Sequence, residues 1–183
     1  ATLYFGWQLL GYNASPPAGL LAAEKGYGVT VDLTLYDEST LADSLESLRE
    51  NELIWLRQPI LWAEIEPAPG QFNWQPLDRV FAAIAQSNDE AQQQNDKTKK
   101  TTPQNLKLIA VLHTTPTWAR PANTPSTTPP TKISDFGRFA RAFAERYGQK
   151  VDGPQVGYQL VGHYQIWHEP NLSANWGNAY VDP

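Results

Sequence analysis

Five consecutive residues, Trp167-His-Glu-Pro-Asn171, bring an indole, an imidazole, a carboxylate and an amide into one short span. Tyr164, Ile166 and Trp167 favour strand structure. Pro170 cannot donate to a sheet ladder, so regular pairing is expected to stop there. Glu169 therefore falls where a strand hands over to a loop, with His168 and Asn171 beside it. A carboxylate held at such a place is suited to proton transfer. The plain alternative is a glutamate that only meets solvent. Two more stretches repeat the pattern of polar and aromatic residues at strand ends: Arg57 with Trp62, and His113 with Trp118.

Composition narrows the function classes. The chain has 183 residues and a formal charge of −5, without a basic stripe that would suit nucleic acid. It has no cysteine, which removes disulfide frameworks and thiolate metal sites. No apolar run approaches the roughly 18 residues of a membrane span. The 15 prolines suit long ordered loops, and the 7 tryptophans suit stacking on sugar rings, although core packing is the ordinary use of any one indole.

The elements that must position these residues follow an alternation. Residues 1–25 read as a lead-in segment, with an extended stretch at Leu3 to Trp7, a turn at Asn13 to Pro17, a short helix at Ala18 to Lys25 and a glycosylation sequon at Asn13. Tyr27 to Leu35 alternates and is β-branched, which predicts a strand. Leu41, Leu45 and Leu48 make a helical stripe, with Thr40 and Asp43 resembling a capping box. Leu53 to Trp62 is a second strand, apolar enough on both faces to be covered on both sides. Leu77, Val80, Phe81 and Ile84 form the next helix, with Pro76 suited to its first position. Residues 87–104 are dominated by Gln, Asn, Asp, Lys and Thr and predict a polar surface insertion in the form of a loop. Leu106 to Leu112 is the third strand, and Ser134 is placed to cap a helix carrying Phe136, Phe139, Phe143 and Tyr147 and closed by Gly148. His163 to Trp167 is the fourth strand. Alternation of this kind implies an α/β fold with a parallel sheet. No G-x-G-x-x-G marks the first turn, so a dinucleotide site is not expected. Side chains clustered at strand ends point instead to a (β/α)8 TIM barrel, of which residues 26–183 supply the first four βα units.

Four blocks resemble clan A retaining glycoside hydrolases of the family 39 type, the relatives of xylosidases, iduronidases and β-glycanases. They are Trp55-Leu-Arg57 with Trp62 to Trp74 and Leu77-Asp-Arg79; Leu112 to Ala119; Ser134 to Gly148; and Ile166 to Trp176. The resemblance implies a glycosidase acting on O-glycosidic bonds of an oligo- or polysaccharide. Glu169 becomes the general acid/base, which calls for burial and a nearby second carboxylate to keep it protonated. Arg57 would orient that second carboxylate. His113 would donate to a substrate hydroxyl or to the carboxylate network, Trp118 and Trp176 are sugar platforms, and Trp167, His168 and Asn171 support the site. Trp62 reads as packing, and Glu64 and Glu66 as loop-ordering residues.

Two departures stand out. Family members carry Asn before the acid/base, where it binds the sugar 2-hydroxyl; this chain has His168. The family nucleophile belongs to the seventh strand, so it is expected outside this chain, on a downstream segment or a second chain that forms the remainder of the barrel. A non-catalytic carbohydrate-binding or scaffolding protein on a degenerate barrel is the alternative. A metal site built on His113, His163 and His168 is not expected, because alternation puts His163 and His168 on opposite strand faces. No cofactor, nucleic acid or membrane is called for.

Overall fold

A computed structural model describes residues 26–98, 105–149 and 160–180. The readings made for residues 1–25 and 99–104 lie outside the described residues. In order come β1 (Tyr27–Thr30), α1 (Glu38–Glu50), β2 (Leu53–Leu61), a single helical turn at Trp62–Ile65, α2 (Gln75–Thr98), β3 (Lys107–His113), α3 (Ile133–Tyr147) and β4 (Val161–Ile166). The four strands form one parallel sheet in the order β1-β2-β3-β4. The chain therefore has the expected α/β fold, with strands and helices alternating as they do in half of a (β/α)8 barrel.

The register puts the functional candidates at one end. Leu61 lies across from His113, and Leu112 across from Ile166. Arg57 sits lower, in mid-strand, between Thr30 and Ile109. Pro59 is tolerated inside β2 for a local reason. Val31 N–H donates to the Arg57 carbonyl, so residues 55, 57 and 59 turn their peptide groups towards β1. β1 has ended by that level, and the missing donor of Pro59 leaves no gap in the ladder. The buried Gln58 uses the space: its amide donates to the Pro59 carbonyl (2.8 Å) and to Asp32 (2.9 Å), while its oxygen accepts from Leu33 N–H (2.9 Å).

Burial alternates strictly along β2. Ile54, Leu56, Gln58 and Ile60 are buried, and the residues between them are only half-buried. The core lies between the outer face of the sheet and the helices, where Leu41 and Leu45 of α1, Leu77, Val80, Phe81 and Ile84 of α2, and Phe136, Phe139, Phe143 and Tyr147 of α3 are buried. Each such side chain is worth about 1.5–3 kcal/mol. The expectation that β2 is covered on both faces is thus corrected: helices cover one face, and four strands alone do not close over the concave one.

Local chemistry moves several boundaries. The first strand stops at Thr30 because Asp32 captures Thr34, accepting from its N–H (3.1 Å) and its hydroxyl (2.6 Å), and so offers the backbone an alternative to the ladder. Asp37, not Thr40, caps α1; its carboxylate accepts from Thr40 N–H at 2.8 Å. Lys132 occupies the α3 cap without a side-chain bond, which leaves Ser134 inside the first turn. Ser87 to Thr98 continue α2 instead of forming a loop. The run contains no Gly or Pro, and Glu, Gln, Ala and Lys favour helix. Asn88 ties that extension down by exchanging two bonds with the Leu106 backbone (2.8 and 3.2 Å).

Helices α2 and α3 are joined by one polar staple. Arg146 donates twice to Asp78 (2.8 and 2.5 Å), and Tyr147 Oη donates to the same carboxylate at 2.8 Å. Partial burial would push the Asp78 carboxyl up, but the bonds from Arg146 and Tyr147 hold it below the usual carboxylate range. Burial and that same carboxylate push the Tyr147 phenol up. Gly148 ends α3 with φ −72° and ψ 146°, not in the left-handed region. Its glycine is needed for space: a Cβ would stand 2.5 Å from both the Ala144 carbonyl and Tyr164 Oη.

Two outcomes follow from this packing. Asp78→Asn is expected to cost about 1 kcal/mol at neutral pH, the scale of a partly exposed charged bond. A depressed carboxyl stabilises above its unfolded pKa and loses that contribution as pH falls through its folded value. Urea titrations at several pH values should therefore show wild type and variant converging under acid. Gly148→Ala is expected to lower the melting temperature, because the Ala144 carbonyl is helix backbone and cannot withdraw freely.

Candidate active site

The C-terminal end of the sheet is built by three strands and two loops. β4 ends at Ile166, and the next three residues leave the strand plane: Trp167 has φ 67° and Glu169 has φ 43°. Left-handed backbone at two non-glycine residues is held here by several bonds. Trp167 N–H donates to the Leu112 carbonyl (2.9 Å), its indole N–H donates to the Asn175 carbonyl (2.7 Å), and Gln165 donates its amide to the Trp167 carbonyl (2.8 Å). The kink also defeats the expected alternation. His163 packs edge-on to Trp55 at 5.0 Å, and His168 comes round to the same concave face.

Arg57 is the centre of the cluster. Its Nε donates to Gln165 Oε1 at 3.0 Å, and its Nη2 lies 3.0 Å from His168 Nδ1. Among the described residues no carboxylate pairs with Arg57. His168 Nε2 stands 3.5 Å from Glu169 Oε2, and Asn175 Nδ2 donates to that same oxygen at 3.3 Å. The Glu169 side chain is 55% exposed, so the burial expected around it is not supplied by the described residues.

His113 closes β3 beside them. Its ring meets Trp167 edge-on at 5.0 Å and His168 at 5.8 Å. Its Nε2 is buried with no hydrogen-bond partner among the described residues. Burial, reinforced by the charges of His168 and Arg57, pulls its imidazole below the ordinary range.

The tryptophans divide. Trp167 is buried and turned inward, edge-on to Trp176 at 5.6 Å. Trp176 remains half-buried on the loop after β4. Trp118 is half-buried on the core: its N–H donates to the Glu66 carbonyl (2.9 Å) and its ring stands edge-on to the buried Trp62. Glu66 is buried and orders its loop by accepting from the Trp62 indole (2.5 Å) and Gly70 N–H (2.7 Å). Asn171 is exposed and makes no side-chain bond among the described residues. The structure thus gathers Arg57, His113, Trp167, His168, Glu169 and Trp176, and leaves Trp118 and Asn171 at the margin. The loop after β3 leans on this cluster. Thr115 is buried, its N–H bound to Ser126 and its hydroxyl to Thr128, and Thr127 donates to the Ala174 carbonyl (2.9 Å). Among the described residues no three His, Cys, Asp or Glu side chains are placed to hold a metal ion.

Sequence reasoning missed Gln165 and Asn175. Gln165 carries a legible signal, a polar residue between Tyr164 and Ile166 at an inward position of period 2. Asn175 has none, since only the folding of its loop brings it to Glu169.

No protein-family model and no curated protein matches this chain. Among solved structures it is similar to a β-galactosidase from the psychrophilic Marinomonas ef1, with TM-score 0.53 and 18% identity, over 78% of this chain and 21% of that one. It is also similar to the Pseudomonas stutzeri endoglucanase Cel5A, solved with cellobiose, with TM-score 0.48 and 13% identity, over 78% of this chain and 40% of that one. The chain therefore spans about a fifth and two fifths of these glycosidases. The β-galactosidase likeness shows the α/β fold alone; neither match bears on the family 39 type.

The lowered pKa of His113 has a sign that can be checked. Its neutral form contributes stability above the ordinary imidazole value of about 6.5, and that contribution is lost as pH falls through the depressed folded value. Imidazole proton NMR should show His113 titrating below the ordinary range, and His113→Gln should flatten the stability profile on the acid side of the ordinary imidazole value.

Proposed function

We propose that this chain carries the acid/base half of a retaining glycoside hydrolase site, acting on O-glycosidic bonds of an oligo- or polysaccharide, with Glu169 as general acid/base. One observation carries the reading. Arg57, His113, His168 and Glu169 converge at the C-terminal end of a parallel sheet in an α/β fold, where barrels of this architecture place their chemistry. In this mechanism Glu169 protonates the glycosidic oxygen as the bond breaks, while a second carboxylate attacks the anomeric carbon. Glu169 then takes the proton of the water that hydrolyses the glycosyl intermediate. The two carboxylates of a retaining site stand about 5 Å apart.

The second carboxylate belongs to the strands that complete the barrel, on a further segment or a second chain. Three features support this. Arg57 has no carboxylate partner among the described residues, the concave face of β2 is half-open, and Tyr164 and Ile166 on the outer face of β4 are 41% and 59% exposed. Clan A chemistry of the family 39 type is the form that the sequence blocks favour. Trp176 is the better sugar platform, since it packs against Trp167 beside the acid/base while Trp118 packs against the core residue Trp62.

The open surroundings of Glu169 favour one competing reading, a carbohydrate-binding protein on a degenerate barrel. The same experiment separates the two. With the barrel completed by its remaining strands, aryl glycosides should be hydrolysed, and Glu169→Ala should lower kcat by ~10²–10⁴-fold. The loss should be smallest for aryl groups that leave without protonation. Binding without hydrolysis in the unaltered protein, or an uninjured Glu169→Ala variant, overturns the proposal.

A further inference from the structure

A residue other than the acid/base is also placed to act on the reaction, and the assignment rests on Glu169 having that role. Arg57 Nη2 and His168 Nδ1 are 3.0 Å apart. A guanidinium has donors only and keeps its charge, so the imidazole nitrogen facing it must present a lone pair. The ring proton of His168 then resides on Nε2, the nitrogen 3.5 Å from Glu169 Oε2. Asn175 Nδ2 approaches the same oxygen at 3.3 Å. One carboxylate oxygen thus accepts from Asn175 and has His168 Nε2 within ion-pair range but not hydrogen-bonded, and Oε1 is left for a substrate.

The backbone carries the same message independently. Left-handed φ at Trp167 and Glu169 persists only where the surroundings over-determine it. The Gln165 amide that holds the Trp167 carbonyl is itself oriented by Arg57 Nε on Oε1 at 3.0 Å. The two donor groups of Arg57 therefore reach both sides of the kink, one through Gln165 and one through His168.

We propose that Arg57 and His168 form a positioning pair for Glu169: Arg57 fixes the imidazole as its Nε2–H tautomer, and that N–H aims the carboxylate. On this view His168 is not a defective stand-in for the asparagine of related enzymes. An asparagine is too short to bridge from Arg57 to Glu169, so the pair is a different solution to orienting the acid/base.

The tautomer is readable in the chain itself, because three histidines give a resolvable set of ring nitrogens. Long-range 1H–15N spectra at a pH where His168 is neutral should show the proton on Nε2, with the Nδ1 resonance displaced from that of a free basic nitrogen. Arg57→Met should abolish the displacement. If that variant does not fold, Arg57→Lys, which keeps a donor, should retain it in part. A proton on Nδ1, or an Nδ1 resonance indifferent to these changes, overturns the proposal. Kinetics of the completed barrel test the second link. His168→Gln, whose amide reaches the Nε2 position, should keep a larger share of kcat than His168→Asn, with KM little changed in both. The opposite order overturns the positioning role. A chain with the Nε2–H tautomer but without hydrolytic activity refutes the glycosidase reading alone, since the spectra need no turnover.

Discussion

The burial of one face of a parallel sheet is the constraint on which the remainder depends. Leu56, Ile60, Leu108 and Leu112 lie under three helices, and the aromatic series Phe81, Phe139, Phe143 and Tyr147 fills the layer between. Because strand side chains alternate, burying that set commits Trp55, Arg57 and Gln165 to the other face. A one-residue slip in β2 would put Arg57 into the apolar layer, so the register that stabilises the fold is also the register that aims the site. The indole of Trp62 and the carboxylate of Glu66 carry this order past the end of β2 into the loop beneath Trp118.

On the concave face, chemistry replaces packing as the organising force. Arg57 is half-buried and, among the described residues, has no carboxylate partner. Its charge helps to keep the neighbouring His113 imidazole neutral, while its donors set the orientation of Gln165 and His168. The strained turn at Trp167 and Glu169 is the local cost of bringing a carboxylate over the sheet end. The half-open concave face and a guanidinium without a carboxylate partner among the described residues go together with a carboxylate that solvent still reaches.

Much of this was legible in the chain. Strand–helix alternation came from periodicity, because period 2 and period 3.6 are separately visible in Leu53 to Leu61 and in Phe136, Phe139, Phe143 and Tyr147. Boundaries were less legible. Asp32 and Asp37 stop a strand and start a helix through side-chain bonds that compete with the backbone, and several neighbouring residues had equal chemical claims to those roles. Residues 87–98 were misread for a related reason. Their polarity argued for a loop, but a surface helix needs little apolar content once Asn88 and Arg49 anchor it.

The sequence by itself determined the parallel α/β class, the strand that leads into Glu169, and the order in which the strands carrying Arg57, His113 and Glu169 follow one another. These are consequences of residue periodicity and of right-handed strand crossovers. Only the tertiary structure decided which groups meet. Arg57 and His168 are 111 residues apart, and their contact depends on sheet register and on a left-handed turn that strand alternation does not anticipate. The same is true of Asn175 at Glu169 and of the Trp118 indole on the Glu66 carbonyl. A pattern along the chain specifies faces, whereas the bonds between faces depend on three-dimensional distances that no local spacing encodes.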